Sequence, residues 1–153
     1  MDGYSAPRVD RPDDIRAAAR RWIEGWARGW ATHDVGLIAS LYADDAVHVS
    51  AFFREPQPTA DYAAWAFSDE EGAEVWFAKP LVEGDRAAVA WWAISRGKDG
   101  RDTTLAGVST ISFGPDGLVV QQWDYWNAAQ DTATPPPDDW GPVAAHEQSS
   151  APS

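Results

Sequence analysis

Apolar residues near the start of the chain recur at intervals of three and four positions. They are Ile15, Ala19, Trp22, Ile23, Trp26 and Trp30. This spacing places them on one face of a helix that begins at Pro12. Asp13 and Asp14 occupy its first turn, where the helix dipole favours negative charge. Asp34 suits the N-cap of a short second helix. The apolar residues of that second helix are Leu37, Ile38, Leu41 and Tyr42.

Beyond these helices the pattern changes to the alternation that is typical of strands. A short strand is predicted over 46–50, and a third helix over 60–67. Between them, Pro56 and Pro58 indicate a loop, because proline is excluded from a central strand. Four further strands are predicted over 73–82, 86–96, 103–113 and 118–127. Short turns containing glycine and aspartate join them as hairpins. Helices followed by an antiparallel meander predict an α+β fold.

The chain divides into one folded unit and two flanking segments. Residues 11–130 are long enough to form a single domain with its own core. Residues 1–10 are polar and predict a flexible lead-in. Residues 131–153 are rich in Pro, acidic, and free of Lys and Arg. This tail is expected to be disordered, with Trp140 as the residue that could fold back on the body.

Composition excludes several classes of function. The 24 acidic and 12 basic residues give a net charge of −12, which argues against nucleic acid or an anionic membrane as partner. The absence of Cys excludes a disulfide framework and a thiolate nucleophile, and the three His are too scattered to predict a metal site. No apolar run approaches the ~18 residues of a membrane span. A cytoplasmic protein is therefore expected.

Ten Trp are unusual for a chain of 153 residues. Aliphatic residues would suffice to fill a core of this size, and buried indole N–H groups need hydrogen-bond partners. The surplus is interpreted as the lining of a large apolar cavity. The competing interpretation is aromatic packing without a cavity.

The last predicted strand contains a candidate acid or base. Alternation places Gln122, Asp124 and Trp126 on one face, and Trp123 and Tyr125 on the other. If the first face is enclosed, desolvation should raise the pKa of Asp124 and make it useful for proton transfer near neutral pH. The alternative is a solvated surface carboxylate.

Three short signatures stand within this order of elements. They are Leu41-Tyr42-Ala43-Asp44-Asp45-Ala46, Gly84-Asp85-Arg86-Ala87-Ala88-Val89 and Asp124-Tyr125-Trp126. From Pro12 to Asn127 the chain resembles the SnoaL-like branch of the NTF2-like superfamily. The resemblance implies a cone, in which a curved antiparallel sheet wraps the first helix around a ligand pocket. It also implies cofactor-independent chemistry and a homodimer formed through the outer face of the sheet.

The activities known in this superfamily can be tested position by position. The catalytic Asp of the ketosteroid isomerases would fall at Ser50, their oxyanion Tyr at Trp26 and their protonated Asp near Ser109. All three are replaced, so a steroid-isomerase mechanism is not expected. The Asp–Arg–Asp relay of the epoxide hydrolases retains Asp124, but the matching second strand of the meander, residues 89–93, has neither Arg nor Asp. Polyketide cyclases need a single pocket Asp, which Asp124 can supply.

The resemblance implies an acid–base enzyme of secondary metabolism, a cyclase, isomerase or dehydratase, acting on a bulky hydrophobic molecule. Asp124 is the predicted catalytic residue. His48 lies on the same face of its strand as Ser50, which falls at a pocket position of the family. His48 is therefore the predicted partner of Asp124. The competing interpretation is a structural His in the core. The predicted substrate-binding residues are Trp26, Ser50, Phe52, Arg54, Trp65, Trp76, Trp92, Ser109, Gln122 and Trp126.

Three alternative functions remain open at this point. The chain could be a non-catalytic binding or accessory protein of the same fold, because so many known catalytic positions are replaced. It could be an epoxide hydrolase with an incomplete relay. It could also be an interaction module that recruits partners through its Pro-rich tail.

Overall fold

A computed structural model describes residues 12–137 and residue 140. Three helices, α1 (Pro12–Thr32), α2 (Val35–Ala39) and α3 (Thr59–Phe67), accompany six strands. The strands are β1 (Tyr42–Ser50), β2 (Glu70–Phe77), β3 (Leu81–Glu83), β4 (Arg86–Gly97), β5 (Asp102–Phe113) and β6 (Val119–Gln130). The predicted α+β cone is confirmed, with the helices packed against a curved, unclosed sheet.

The strand order is β1-β6-β5-β4-β2, and β3 also pairs with β4. The meander from β4 to β6 is antiparallel, as predicted. β1 departs from the expected pattern because it runs parallel to β6. A parallel pair needs a long crossover, and here α3 with the strands β2 to β5 supplies it. The sheet is therefore mixed, and β6 lies between β1 and β5.

Two strand boundaries differ from the prediction. The segment 73–82 is not one strand, since β2 ends at Phe77 and β3 starts at Leu81. Pro80 lies in the gap and has no N–H to donate to a ladder. Tyr42 begins β1 instead of ending the second helix, and it pairs with Val119.

The apolar stripe of α1 forms the centre of the core. Ile15, Ala19 and Trp22 are buried there with Val89 and Ile111 of the sheet. α1 also contacts α2 closely, because a Cβ added at Gly29 would lie 2.5 Å from Cγ1 of the buried Ile38. Within the described residues, no helix is long and apolar enough to cross a membrane.

The chain beyond β6 contacts the outer face of the sheet. The Thr134 carbonyl accepts a hydrogen bond from the indole of Trp92 at 2.8 Å. The backbone N–H of Thr134 donates to the Thr104 hydroxyl at 3.0 Å. The Trp140 ring packs edge-on against Trp92 at 5.9 Å, as the sequence suggested. The predictions of a flexible lead-in and a disordered tail fall largely on 1–11, 138–139 and 141–153, outside the described residues.

Replacing Gly29 by alanine should destabilise the fold. Alanine is the better helix former by up to about 1 kcal/mol, but the overlap with Ile38 should cost about 1–3 kcal/mol. We expect the melting temperature to fall by a few degrees. Gly36→Ala is the matched control, since the nearest atom to its Cβ lies at an ordinary 3.6 Å. An equal gain in melting temperature for both variants would contradict this account of α1–α2 packing.

Candidate active site

Asp124 lies on the inner face of β6. It is 6 % exposed, and Gln122 on the same face is also buried, whereas Trp123 and Tyr125 are each more than a third exposed. The predicted alternation along this strand is therefore confirmed. Its register partners on the two flanking strands are Ser109 of β5 and Ser50 of β1.

Three side chains hydrogen-bond to the Asp124 carboxylate. The Ser109 hydroxyl donates to Oδ1 at 2.6 Å, and Gln122 Nε2 donates to the same oxygen at 2.9 Å. His48 Nε2 lies 2.8 Å from Oδ2. The other ring nitrogen of His48, Nδ1, contacts the Thr59 hydroxyl at 3.1 Å. His48 is buried behind the carboxylate, so the predicted Asp–His pair is present in the structure.

Indole N–H groups fix the direction of these hydrogen bonds. Trp91 donates to the Ser109 oxygen at 3.0 Å, so the Ser109 proton is left to point at Asp124. Trp22 donates to Gln122 Oε1 at 2.9 Å, which turns the amide nitrogen towards Asp124. An indole can donate but cannot accept. Both bonds to Oδ1 are therefore donated to the carboxylate and favour its ionised form.

The pKa of Asp124 lies below its ordinary value, contrary to the expectation from sequence. Burial acts to raise this pKa, as expected. The hydrogen bond and the charge of His48, followed by the bonds from Ser109 and Gln122, lower it by more. The sequence showed the enclosed face but not the number of donors on it. Asp124 is thus a carboxylate at neutral pH and can accept a proton, but the donors that lower its pKa also make it a weaker base than the sequence predicted.

Two buried tyrosines behave in the opposite way. Burial, with the charge of Asp124 as a second cause, raises the pKa of Tyr42 far above its usual range. Tyr42 accepts from Trp26 at 2.8 Å and donates a short hydrogen bond to Gln122. Burial also raises the pKa of Tyr62 to about 12, against a lowering by Ser50. Both hydroxyls are therefore protonated at neutral pH and can donate.

Asp124 faces a small cavity, which we call the chamber. Its volume is about 40 Å³, and its wall includes Trp22, Trp26, Trp30, Tyr62, Phe77, Trp91, Ser109 and Gln122. That volume accommodates only a few water-sized groups. An adjoining cavity of about 510 Å³, the vestibule, shares Trp30, Tyr62 and Trp91 with the chamber. A bulky ligand would occupy the vestibule and reach Asp124 only with a narrow group.

Several predicted site residues line this cavity. Trp26, Ser109 and Gln122 lie on the chamber wall, and Trp65 and Trp126 on that of the vestibule. Ser50 is buried and accepts a hydrogen bond from the Trp126 indole at 3.4 Å. Arg54 lies on the rim, where its guanidinium stacks over the Trp65 ring. Six of the ten Trp line one or both cavities, which supports the interpretation of the Trp surplus as cavity lining.

Three predicted pocket residues lie elsewhere. Trp76 and Trp92 pair with each other on the outer face of the sheet, and their neighbours Phe77 and Trp91 take the inward positions. Each of these strands has two adjacent aromatic residues, and the sequence does not show which of the two faces inward. The prediction that Trp76 and Trp92 face the pocket was therefore wrong. Phe52 is 60 % exposed and contacts Tyr125 on the outer face at 5.1 Å, because the loop after β1 turns outward.

Sequence reasoning also missed six residues of the site. They are Trp22, Trp30, Tyr42, Tyr62, Phe77 and Trp91. Trp22 and Trp30 share the helical stripe of Trp26, so their periodicity could have identified them. The signal for Tyr42 was obscured by its assignment to the second helix. Among the described residues, no group of three or more potential metal ligands occurs.

Comparison with known proteins identifies the family. The sequence model of the SnoaL-like domain matches residues 11–122, most of the chain. The protein belongs to the SnoaL-like family. No curated protein matches the chain in sequence at a significant level. The match to the SnoaL-like model confirms the superfamily resemblance that was inferred from the sequence.

Several solved structures share the fold of this chain. A candidate aromatic-ring hydroxylase from Novosphingobium aromaticivorans superposes with a TM-score of 0.64 at 18 % identity, covering 78 % of this chain and 95 % of its own. The epoxide hydrolase/cyclase-like enzyme SalBIII, involved in pyran ring formation in salinomycin, gives 0.63 at 13 % identity, with coverages of 75 % and 92 %. A Catenulispora acidiphila protein of ketosteroid isomerase-like fold, bound to trimethylamine, gives 0.59 at 16 %, with coverages of 66 % and 81 %.

Replacing Asp124 by asparagine should lower the free energy of unfolding in a pH-dependent way. Because its pKa is lower in the folded protein, ionised Asp124 stabilises the fold above its unfolded pKa of about 3.9, and this contribution disappears as the pH falls through the folded pKa. In urea unfolding, the gap between wild type and variant should be widest above about pH 5 and narrow on acidification. A gap that does not change with pH would contradict the lowered pKa.

Proposed function

We propose that this SnoaL-like protein is a cofactor-independent acid–base enzyme acting on a bulky hydrophobic small molecule. Its reaction belongs to the cyclase, isomerase or dehydratase type, and secondary metabolism is its proposed setting. The observation that carries the proposal is the ionised Asp124 on the wall of a chamber otherwise lined mainly by aromatic rings. A buried carboxylate that faces a cavity can remove a proton from a bound ligand without competition from bulk water.

Asp124 is proposed as the general base. One oxygen, Oδ1, is held by Ser109 and Gln122, so Oδ2 is the better placed to receive a proton. His48 contacts Oδ2, but it does not line the chamber. We therefore assign His48 the role of a positioning residue, whose hydrogen bond to Thr59 fixes the ring. The proton that Asp124 accepts can return to another atom of the same ligand, which balances an isomerisation.

Tyr62 supplies the hydrogen-bond donor that proton abstraction requires. Removing a proton next to a carbonyl creates an oxyanion, which needs a donor in a water-poor site. Tyr62 lies on the chamber wall, and its hydroxyl is protonated at neutral pH because burial raises its pKa to about 12. Tyr62 lies on α3. The oxyanion Tyr of the ketosteroid isomerases would instead fall at Trp26.

The proposed base can be tested with a model carbon acid. 4-Phenylbutan-2-one is apolar and carries acidic protons beside its carbonyl, at a narrow methyl-ketone end that can reach Asp124 while the phenyl ring stays in the vestibule. Wild-type protein should accelerate deuterium incorporation at that position, measured by NMR, and Asp124→Asn should lower the rate by about 100-fold or more. Asn can still accept from Ser109 and Gln122 through its oxygen, so binding of the ketone should survive. Asp102→Asn, an Asp of β5 outside both cavities, is the matched control.

A Tyr62→Phe variant completes this test. It should lower the exchange rate by about tenfold to a hundredfold while leaving the affinity for the ketone little changed. Equal exchange in wild type, Asp124→Asn and buffer would contradict the proposed chemistry.

A non-catalytic binding protein of the same fold is the second candidate. The observation favouring it is that both Asp124 oxygens are already engaged by Ser109, Gln122 and His48. The inward residues of β4 at positions 89 to 93 are Val89, Trp91 and Ala93, so neither the Arg nor the Asp of the epoxide hydrolase relay is present there. A ligand retained in native mass spectrometry, with no turnover in any variant, would select this candidate.

We also propose a homodimer formed through the outer face of the sheet. Val108, Trp123 and Tyr125 lie on this face and are each more than a third exposed, and Phe52 extends it beside Tyr125. A contiguous apolar patch of this kind favours association. Light scattering should give twice the mass of one chain, and Trp123→Glu should shift the protein to monomer. A monomer at micromolar concentration would contradict the dimer.

A further inference from the structure

The vestibule has an unusual combination of walls. Its aromatic side chains are Trp30, Tyr62, Trp65, Phe67, Trp91 and Trp126. Two carboxylate residues, Asp69 and Glu70, are part of the same wall, which contains no Lys or Arg. Faces of aromatic rings carry partial negative charge. Rings and carboxylates together bring negative charge to the vestibule, and no Lys or Arg is part of its wall.

Glu70 is built rigidly into this wall. It is 7 % exposed, and the Trp30 indole donates to its two oxygens at 2.9 and 3.2 Å. His33 contacts Oε1 at 2.9 Å, and the Ser95 hydroxyl donates to Oε2. Glu70 thus joins the end of α1 to β4 and at the same time presents a carboxylate to the vestibule. A neutral apolar ligand would gain nothing from a charge placed there.

The rim already shows that these rings bind a cation. The Arg54 guanidinium carbon lies 4.5 Å from the centroid of the Trp65 ring and 5.8 Å from that of Tyr62, within the range of cation–π attraction. Both rings also line the vestibule. The other cations nearby, Lys98 and Arg101, line an adjoining surface groove that shares Asp69 and Glu70 with the vestibule. Arg101 faces Asp131 there at 4.0 Å.

We propose that the vestibule binds an organic cation, an amine carried on an apolar body, with its positive charge among the aromatic rings beside Glu70. The volume of about 510 Å³ accommodates a body larger than the ammonium group itself. This inference deepens the proposed function and rests on it in one respect: the bound amine is also the molecule whose narrow end reaches Asp124. The substrate class is then an alkylammonium compound.

A pair of isosteric probes tests the charge directly. Benzyltrimethylammonium and neopentylbenzene have the same shape and differ only in a quaternary nitrogen replacing a carbon. Titration followed by Trp fluorescence should show the cation binding about tenfold more tightly, despite its stronger hydration in water. Equal or tighter binding of neopentylbenzene, or no binding of either probe, would overturn the proposal.

Two variants locate the site. Trp65→Leu removes a vestibule ring that is 57 % exposed, so the fold should tolerate it, and it should weaken the cation several-fold while leaving neopentylbenzene nearly unchanged. Glu70→Gln keeps the shape and an acceptor for Trp30, and should weaken only the cation. Trp123→Leu is the control, because it removes a Trp that is 39 % exposed on the outer face and keeps an apolar side chain there. Equal losses in Trp65→Leu and Trp123→Leu would exclude the vestibule.

The same titration in Asp124→Asn separates this inference from the proposed chemistry. Cation binding should be retained there, because Asp124 belongs to the chamber and not to the vestibule. Retained cation selectivity together with unchanged deuterium exchange would refute the base and keep the cation site. Loss of exchange in Asp124→Asn with no preference for the cation in any variant would keep the base and refute the cation site.

Discussion

The architecture of this protein depends on keeping one carboxylate ionised inside a sheet. Burying the charge of Asp124 is costly unless donors replace the lost water. Ser109 and Gln122 do so directly, and the indoles of Trp91 and Trp22 force both of them to donate. His48 compensates the charge from the other side. Removing any one donor would leave a partner unsatisfied, so the network has to be regarded as one unit.

The richness in Trp follows from this constraint. Trp is one of the few residues that fill a large apolar volume and supply a hydrogen bond that can only be donated. On α1, Trp22 and Trp26 direct the network around Asp124, and Trp30 does the same for Glu70. One helical stripe thus orients polar groups at both ends of the cavity. Trp30, together with Tyr62 and Trp91, lines both the narrow chamber and the wide vestibule. These rings separate the proposed base from the proposed recognition surface.

This division has a chemical consequence. With a wide pocket around the base, a polycyclic ligand could lie directly on the carboxylate. Here Trp30, Tyr62 and Trp91 stand between the two cavities. Only a slender group can pass them, so selection by size occurs before the ligand meets Asp124. The proposed recognition of charge takes place at the other end, beside Glu70.

Local periodicity determined the elements of this protein. The sequence predicted the apolar stripe of α1, the hairpin strands and the inward orientation of Asp124. Each of these follows from the spacing of residues within one element and requires no knowledge of its neighbours. The tertiary structure decided what lies across from those residues. The parallel return of β1 placed His48 against Asp124, and the donors gathered there reversed the expected direction of its pKa shift. Trp91 and Trp92 have the same local sequence signal, and only the packing of β4 on α1 decides which of them faces the cavity.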